Sequence, residues 1–281
     1  MTTPQVTFGC NFNADGYWDA AEFARRAEAL GFDRITTGEH LMDGNPPRPT
    51  VLSIPAMAAA AGATKTLRVM TGIVIVPLYN PVLLAKMIST LDVISAGRVD
   101  FGIGISGQRG TQVEFDAVGV SVRTRGRRTD EMLQVMKRLW TEEHVSHHGR
   151  FFDFDDVTLL PGPVQQPHPP IGVAGASPGS DTLKIAGERG YIPMSLGLNA
   201  VYVASHWDAV EEGARSAGNP PPSRSVWRIV RDVWVADTDE EAREGAINGM
   251  LGRAWRDYLR PLFAQGAYPF VSFMKHDESI A

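Results

Sequence analysis

The chain has 281 residues, 43% hydrophobic and 21% charged, enough apolar side chains for a large core and too many for a disordered polypeptide. Its 27 Lys and Arg face 32 Asp and Glu, a formal charge of −5, which excludes the basic excess expected of a nucleic-acid partner. Cys10 is the only cysteine, which excludes an intramolecular disulfide and a Cys-based zinc site within one chain and suits a reducing, cytoplasmic location.

In chain order, the start Met1-Thr-Thr-Pro-Gln-Val6 lacks the basic and apolar regions of a signal peptide. No apolar run reaches the roughly 18 residues of a membrane helix, so no membrane partner is expected. Val6 to Phe12 is a β-prone run, and Trp18, Ala21, Ala24, Ala27 and Leu30 mark one face of a following helix that Gly31 terminates. Asp33 to Thr37 is a second strand ending in Gly38-Glu39-His40. After a polar loop, Ser53 to Ala63 is an Ala-rich helix and Leu67 to Val76 one buried strand. Pro81 opens a helix over Val82 to Ser95, which Ala96-Gly97 ends before the strand Arg98 to Ile105.

Residues 106–128 break the rhythm as an insertion loop, and Thr129 to Trp140 is a helix. A second insertion, about 141–170, holds a hairpin around Gly149. Strands at Pro170 to Ala174, Ile192 to Leu198 and Trp227 to Ala236 alternate with helices at Ser180 to Glu188 and about Tyr202 to Ser216. Thr238-Asp239-Glu240-Glu241 gives a capping box for a long helix to about Leu262, and Tyr268 to Met274 is strand-like with no helix behind it. Repeated β/α units without a composition shift predict an α/β fold, a TIM (β/α)8-type barrel in a single domain over 1–281, with its C-terminal closing unit incomplete.

In such a barrel the chemistry lies at the C-terminal ends of strands. Those positions hold Asn11 and Asn13, Glu39 and His40, Gly72 and Pro77 to Asn80, Ser106, Gln108 and Arg109, and Ser177. His40 is the one imidazole among them, either a general acid or base or a loop histidine bonded to backbone. Gly102-Ile-Gly104-Ile-Ser-Gly107 is a literal G-x-G-x-x-G, but three β/α units precede it and Gln108-Arg109-Gly110-Thr111 follows instead of a helix. Its glycines either let backbone approach a flat ligand or pack tightly at the barrel mouth.

Gly175-Ala176-Ser177-Pro178-Gly179-Ser180 leads into a helix and is either an anion site or a Ser-capped turn. Arg123, Arg125, Arg127 and Arg128 cluster in a loop, a solvated face or a reach toward phosphate. His144, His147 and His148 have no carboxylate at matched spacing, so no metal is expected. Phe12, Leu41, Leu78, Tyr79, Met194 and Leu196 are candidates for an apolar substrate wall, subject to strand alternation turning half of them into the core. No nucleophile elbow and no Walker sequence occurs.

Taken together, these pieces resemble the bacterial luciferase-like flavin monooxygenases from Val6 to about Leu262. Ile35-Thr-Thr-Gly-Glu-His40 resembles the strand-two ending that carries the family's active-site histidine. Val69-Met-Thr-Gly-Ile-Val74 is similar to its third strand, where a non-proline cis peptide lies under the flavin; the matching bond is Gly72–Ile73. The stretch from Leu91 through Asp92, Ser95, Gly97 and Arg98 to Gly104 resembles the family's most recognisable segment, and Arg127, before Glu131, matches an arginine near the flavin phosphate. Val173 to Ser180 looks most like the limonene-monooxygenase branch.

The resemblance implies an oxidoreductase in which reduced FMN, delivered by a separate flavin reductase, and O2 oxygenate a small hydrophobic substrate. His40 would be catalytic. Gly72, Ile73, Gly104, Ser106, Arg127, Gly175, Ala176, Ser177, Gly179 and Ser180 would bind the cofactor. A homodimer is implied as well. A deazaflavin-dependent oxidoreductase of the same superfamily and a non-catalytic flavin-binding relative are the alternatives. Glu39 is the neighbouring carboxylate that would set the charge of His40 against burial.

Overall fold

A computed structural model describes residues 6–12, 18–42, 49–106, 111–196 and 200–261. Two sequence expectations, Asn13 and the strand-like Tyr268 to Met274, lie outside them, as do Gln108 and Arg109. The chain groups into two compact units, the first formed by 1–43, 47–106 and 112–173, the second mainly by 174–281.

In the first unit, β1 (Gly9–Asn11), β2 (Arg34–Thr37), β3 (Arg68–Thr71), β5 (Val99–Gly104) and β8 (Ile171–Gly175) are hydrogen-bonded in that order, all parallel. The expected third strand is interrupted: β3 stops at Thr71, the Gly72–Ile73 peptide is cis, and β4 (Val74–Ile75) resumes along β5. The β-prone run from Leu67 to Val76 hides the break, for which Gly72 is the one local mark. A side chain at Gly72 would run into Thr36 Oγ1, and one at Gly38 would meet Gly72 O at 2.9 Å.

The helices follow their local chemistry. In α1 (Ala20–Ala29) the buried residues are Ala20, Ala24 and Ala27, while Trp18 and Leu30 are exposed. The expected stripe in steps of three is corrected here: each such step falls about 60° short of a turn and drifts off the buried face. α2 (Ser53–Ala63) begins where expected, and Ser53 Oγ donates to Thr37 O at 2.7 Å, joining its first turn to the end of β2. α3 (Pro81–Ser95) is capped by Asn80, whose side chain accepts from Val82 N and Leu83 N, and ends with Ala96 and Gly97 at positive φ.

Within the recognisable Leu91 to Gly104 segment, the polar residues are structural. Arg98 donates to the carbonyls of Leu67 at 2.6 Å, Ala61 at 2.9 Å, Thr64 at 3.1 Å and Ser95 at 2.5 Å. Asp92 accepts from Gln165 N and Nε2, both at 2.8 Å. At the N-terminal ends of the strands, buried Asp100 pairs with Arg68 at 2.6 Å and Arg34 at 3.7 Å. This is the end where barrel residues serve stability.

The insertion 106–128 is not wholly loop. It contains α4 (Gln112–Ala117), anchored by fully buried Phe115, and α5 begins at Arg125 and runs to Thr141. The arginine cluster is thereby corrected: Arg125, Arg127 and Arg128 lie on the first turn of a helix. The hairpin around Gly149 is present as β6 (Val145–His148) and β7 (Asp153–Val157).

In the second unit, α6 (Asp181–Arg189) packs on α7 (Ala200–Ser216), and β9 (Ile192–Leu196) pairs in parallel with β10 (Arg228–Val230). The expected strand Trp227 to Ala236 is shorter because its ladder ends at Val230, opposite Leu196, the last residue of β9. The Thr238 capping box forms, with Glu241 N and Thr238 Oγ1 at 3.2 Å. The expected long helix is divided at Gly249 into α8 (Asp239–Asn248) and α9 (Met250–Ala254), followed by a π-helical turn.

Candidate active site

Parallel register in the first unit places Thr37 beside Thr71 and Ile75 beside Gly104. His40, the Gly72–Ile73 peptide and Ser106 therefore follow the C-terminal ends of hydrogen-bonded strands, and Gly104 is the last residue of β5. Gly104 faces the Ile73 side chain, whose Cδ1 would have to swing aside for a Cβ there. Ser106 has positive φ, and its Oγ is buried without a hydrogen-bond partner among the described residues.

The carboxylate beside His40 in space is Glu114 on α4, not its sequence neighbour. His40 Nδ1 lies 2.9 Å from Glu114 Oε1, within hydrogen-bond distance, and Leu41 N donates to Oε2 at 2.6 Å. The Glu114 side chain is 1% exposed and that of His40 18%. This corrects the role expected of Glu39, which turns inward. Glu39 accepts from Ser53 N at 3.0 Å, Ile75 N at 3.1 Å and Tyr79 Oη at 2.9 Å. Burial pushes the Glu39 carboxyl up from its usual value against these bonds, and burial with the adjacent carboxylate pushes the Tyr79 phenol up. Glu39 thus fixes the backbone following β2, β4 and the start of α2, and acts on the imidazole only through its charge.

The apolar candidates divide. Phe12 is 1% exposed and packs its ring on Phe23 at 5.5 Å, so it belongs to the core at the end of β1. Leu41 is exposed, Leu78 and Tyr79 are half-buried, and in β9 of the second unit Met194 is buried and Leu196 half-buried. Arg127 is exposed, whereas Arg128 is committed to structure, donating to Pro77 O at 3.0 Å and lying 4.4 Å over the Phe152 ring.

In the second unit, the Gly175–Ser180 turn is braced from behind. Fully buried His206 donates from Nε2 to Ser177 O at 2.8 Å and accepts at Nδ1 from Ser195 Oγ at 3.1 Å. Ser195 Oγ in turn accepts from Trp227 Nε1 at 2.8 Å. Burial lowers the His206 pKa, in keeping with a neutral ring that donates once and accepts once. Sequence reasoning missed His206 because it lies mid-helix, with nothing local to mark it. Gly179 N donates to Ser205 Oγ at 3.1 Å, and Asp181 puts a carboxylate in the first turn of α6.

The three hairpin histidines are separately paired, His144 with Asp156, His147 with Glu131 and His148 with Asp153. Among the described residues no group of His, Cys, Asp or Glu converges to hold a metal ion. Nor is any described helix long and apolar enough to cross a membrane.

Parallel β/α units with a carboxylate-held imidazole at the strand ends define an α/β enzyme of the barrel type. The chain belongs to the luciferase-like monooxygenase family, whose model matches residues 3–278. It is 30% identical over 260 residues to 2,5-diketocamphane 1,2-monooxygenase 1 of Pseudomonas putida, covering 86% of this chain and 69% of that one. It is 34% identical over 211 residues to an F420-dependent glucose-6-phosphate dehydrogenase of Kineococcus radiotolerans, covering 70% and 58%. Among solved structures, the oxygenating constituent of 3,6-diketocamphane monooxygenase from P. putida, a type II Baeyer-Villiger monooxygenase in complex with FMN, superposes with a TM-score of 0.81. It is 26% identical, and the match covers 93% of this chain and 76% of that one. The fold class is thus the α/β, TIM-barrel type expected from the alternation, the expected closing unit lying outside the described residues.

Proposed function

We propose that this chain is the oxygenating component of a two-component monooxygenase that uses reduced FMN and O2 to oxygenate a small hydrophobic substrate. The observation that carries the reading is His40 at the end of β2, held by a buried carboxylate and set at the strand ends with the Gly72–Ile73 peptide. The described residues suit a flavin. Ser106 offers a buried hydroxyl with no protein partner among them, and Gly72 and Gly104 bring bare backbone to the strand ends.

When bound, reduced FMN supplies the electrons that activate O2. The protein's part is to orient, exclude water and move a proton. His40 holds or delivers that proton at Nε2. Gly72, Ile73, Gly104 and Ser106 contact the ring system, and Leu41, Leu78 and Tyr79 supply apolar surface for the substrate. For the phosphate we propose the second unit's turn, Gly175, Ala176, Ser177, Gly179 and Ser180, which His206 keeps rigid, and we keep Arg127 of the first unit as a separate cofactor-binding candidate, exposed on the first turn of α5. One domain across 1–281, a separate reductase, a homodimer and a cytoplasmic location complete the proposal. The family model spanning 3–278 and the relative described as an oxygenating constituent support the first two.

The F420-dependent relative supports a second reading, hydride transfer to or from a deazaflavin. Anaerobic titration of the protein with reduced FMN and with F420 separates them. Saturable binding of reduced FMN at micromolar concentration is expected. Binding of F420 alone would replace the oxygenase reading with the second.

A further inference from the structure

We infer that Glu114 is a positioning residue for His40, holding the imidazole as its Nδ1–H tautomer so that Nε2 is the basic nitrogen. The inference deepens the proposed function and rests on it for the reaction that His40 serves. Glu114 lies 74 residues further along the chain, on the short helix inside the insertion. Its oxygens are divided between two tasks. Oε1 lies 2.9 Å from Nδ1 of His40, and Oε2 takes the backbone N–H of Leu41 at 2.6 Å. One carboxylate therefore fixes both the ring and the main chain that carries it.

The arrangement leaves the group little freedom. Glu114 is 1% exposed, and the next residue, Phe115, is fully buried and anchors the helix. A buried carboxylate must be met by donors, and an ionised one can only accept. The proton on the facing imidazole nitrogen is thereby assigned to Nδ1. Glu39, one residue before His40, feels the imidazole only through its charge, its oxygens being taken by Ser53 N, Ile75 N and Tyr79 Oη. A carboxylate that sets a histidine tautomer acts on turnover without touching the reacting atoms.

The test reads the tautomer directly, by long-range 1H–15N correlation on 15N-histidine-labelled full-length protein, with His40→Gln assigning the resonances. Wild type is expected to show a protonated, pyrrole-like Nδ1 and a pyridine-like Nε2. In Glu114→Gln the side-chain carbonyl still serves Leu41 N–H, while the amide NH2 now faces Nδ1 and exchanges the two patterns. Turnover with reductase-supplied FMN should fall about a hundredfold or more, with reduced-FMN affinity within about twofold of wild type. A wild-type ring protonated at Nε2 alone, an unchanged pattern in Glu114→Gln, or an exchanged pattern with undiminished turnover would each overturn the inference. If His40→Ala turned over like wild type, the proposed reaction role would fail while the tautomer assignment stood, so the two failures are told apart.

Discussion

Glu39 and His40 are adjacent in sequence and work in opposite directions, one spent on holding backbone and the other presented at the strand end beside Glu114. The position of His40 was legible because a strand run ending in Gly-Glu-His marks a barrel mouth. Its partner was not, since no local pattern joins residues 40 and 114, and α4 was hidden in a segment whose glycines and arginines suggest loop. The division of labour makes a prediction. His40→Ala should fold and bind reduced FMN, because Glu114 keeps the Leu41 N–H and the imidazole is no part of the core. Product formation should fall by roughly 10²- to 10⁴-fold, the usual range for one acid-base group. Rates from single turnovers, beside circular dichroism of the same sample, check this, and a folded variant with wild-type rates would show that His40 is structural.

Elements are held by contacts that the sequence signals unevenly. Helix starts such as Asn80-Pro81 and the Thr238 capping box were plain, because capping is local chemistry. Strand lengths were not, because a ladder ends where its neighbour does. The crossing of α6 and α7 is a case in which two small residues decide the geometry. A Cβ on Gly187 would collide with Val210 O, and one on Gly213 with Lys184 O. Gly187→Ala gains helix propensity worth about 1 kcal/mol but forces backbone apart, for a net loss of roughly 1 to 3 kcal/mol. Urea unfolding should show a lower midpoint, and an unchanged or raised one would mean the helices separate without penalty.

Glu28, on α1, ties down the turn before β3. Its Oε1 accepts from Lys65 N at 2.9 Å, Thr66 N at 2.6 Å, Thr66 Oγ1 at 2.8 Å and Leu67 N at 3.0 Å. These bonds, led by that from Thr66 N, lower its pKa from 4.5 to about 2. A carboxyl more acidic in the folded state contributes stability above its unfolded pKa, and that contribution is lost as pH falls from about 4.5 through about 2. Glu28→Gln should therefore melt below wild type at pH 7 and converge with it near pH 2, as thermal scans at stepped pH would show. A gap that persists unchanged to pH 2 would mean that shape, not charge, anchors the turn.

At the scale of the whole molecule, the net charge of −5, the parallel β/α units and the family match over residues 3–278 point one way, toward a small-molecule enzyme. The order of those units was readable from alternation alone, because parallel strands buried on both faces leave short apolar runs while the helices between them leave a period and caps. Substrate identity was not readable, since it depends on which apolar side chains line the pocket, and strand sequence does not fix register. The proposed activity has a direct readout in the fate of the oxygen atoms. With a supplied flavin reductase, FMN, catalase and a panel of small ketones, terpenes and polar controls, mass spectrometry of products made under 18O2 should find one labelled oxygen in an apolar product. Unlabelled product, label confined to water with every compound, or oxygen-independent turnover with F420 would contradict the account.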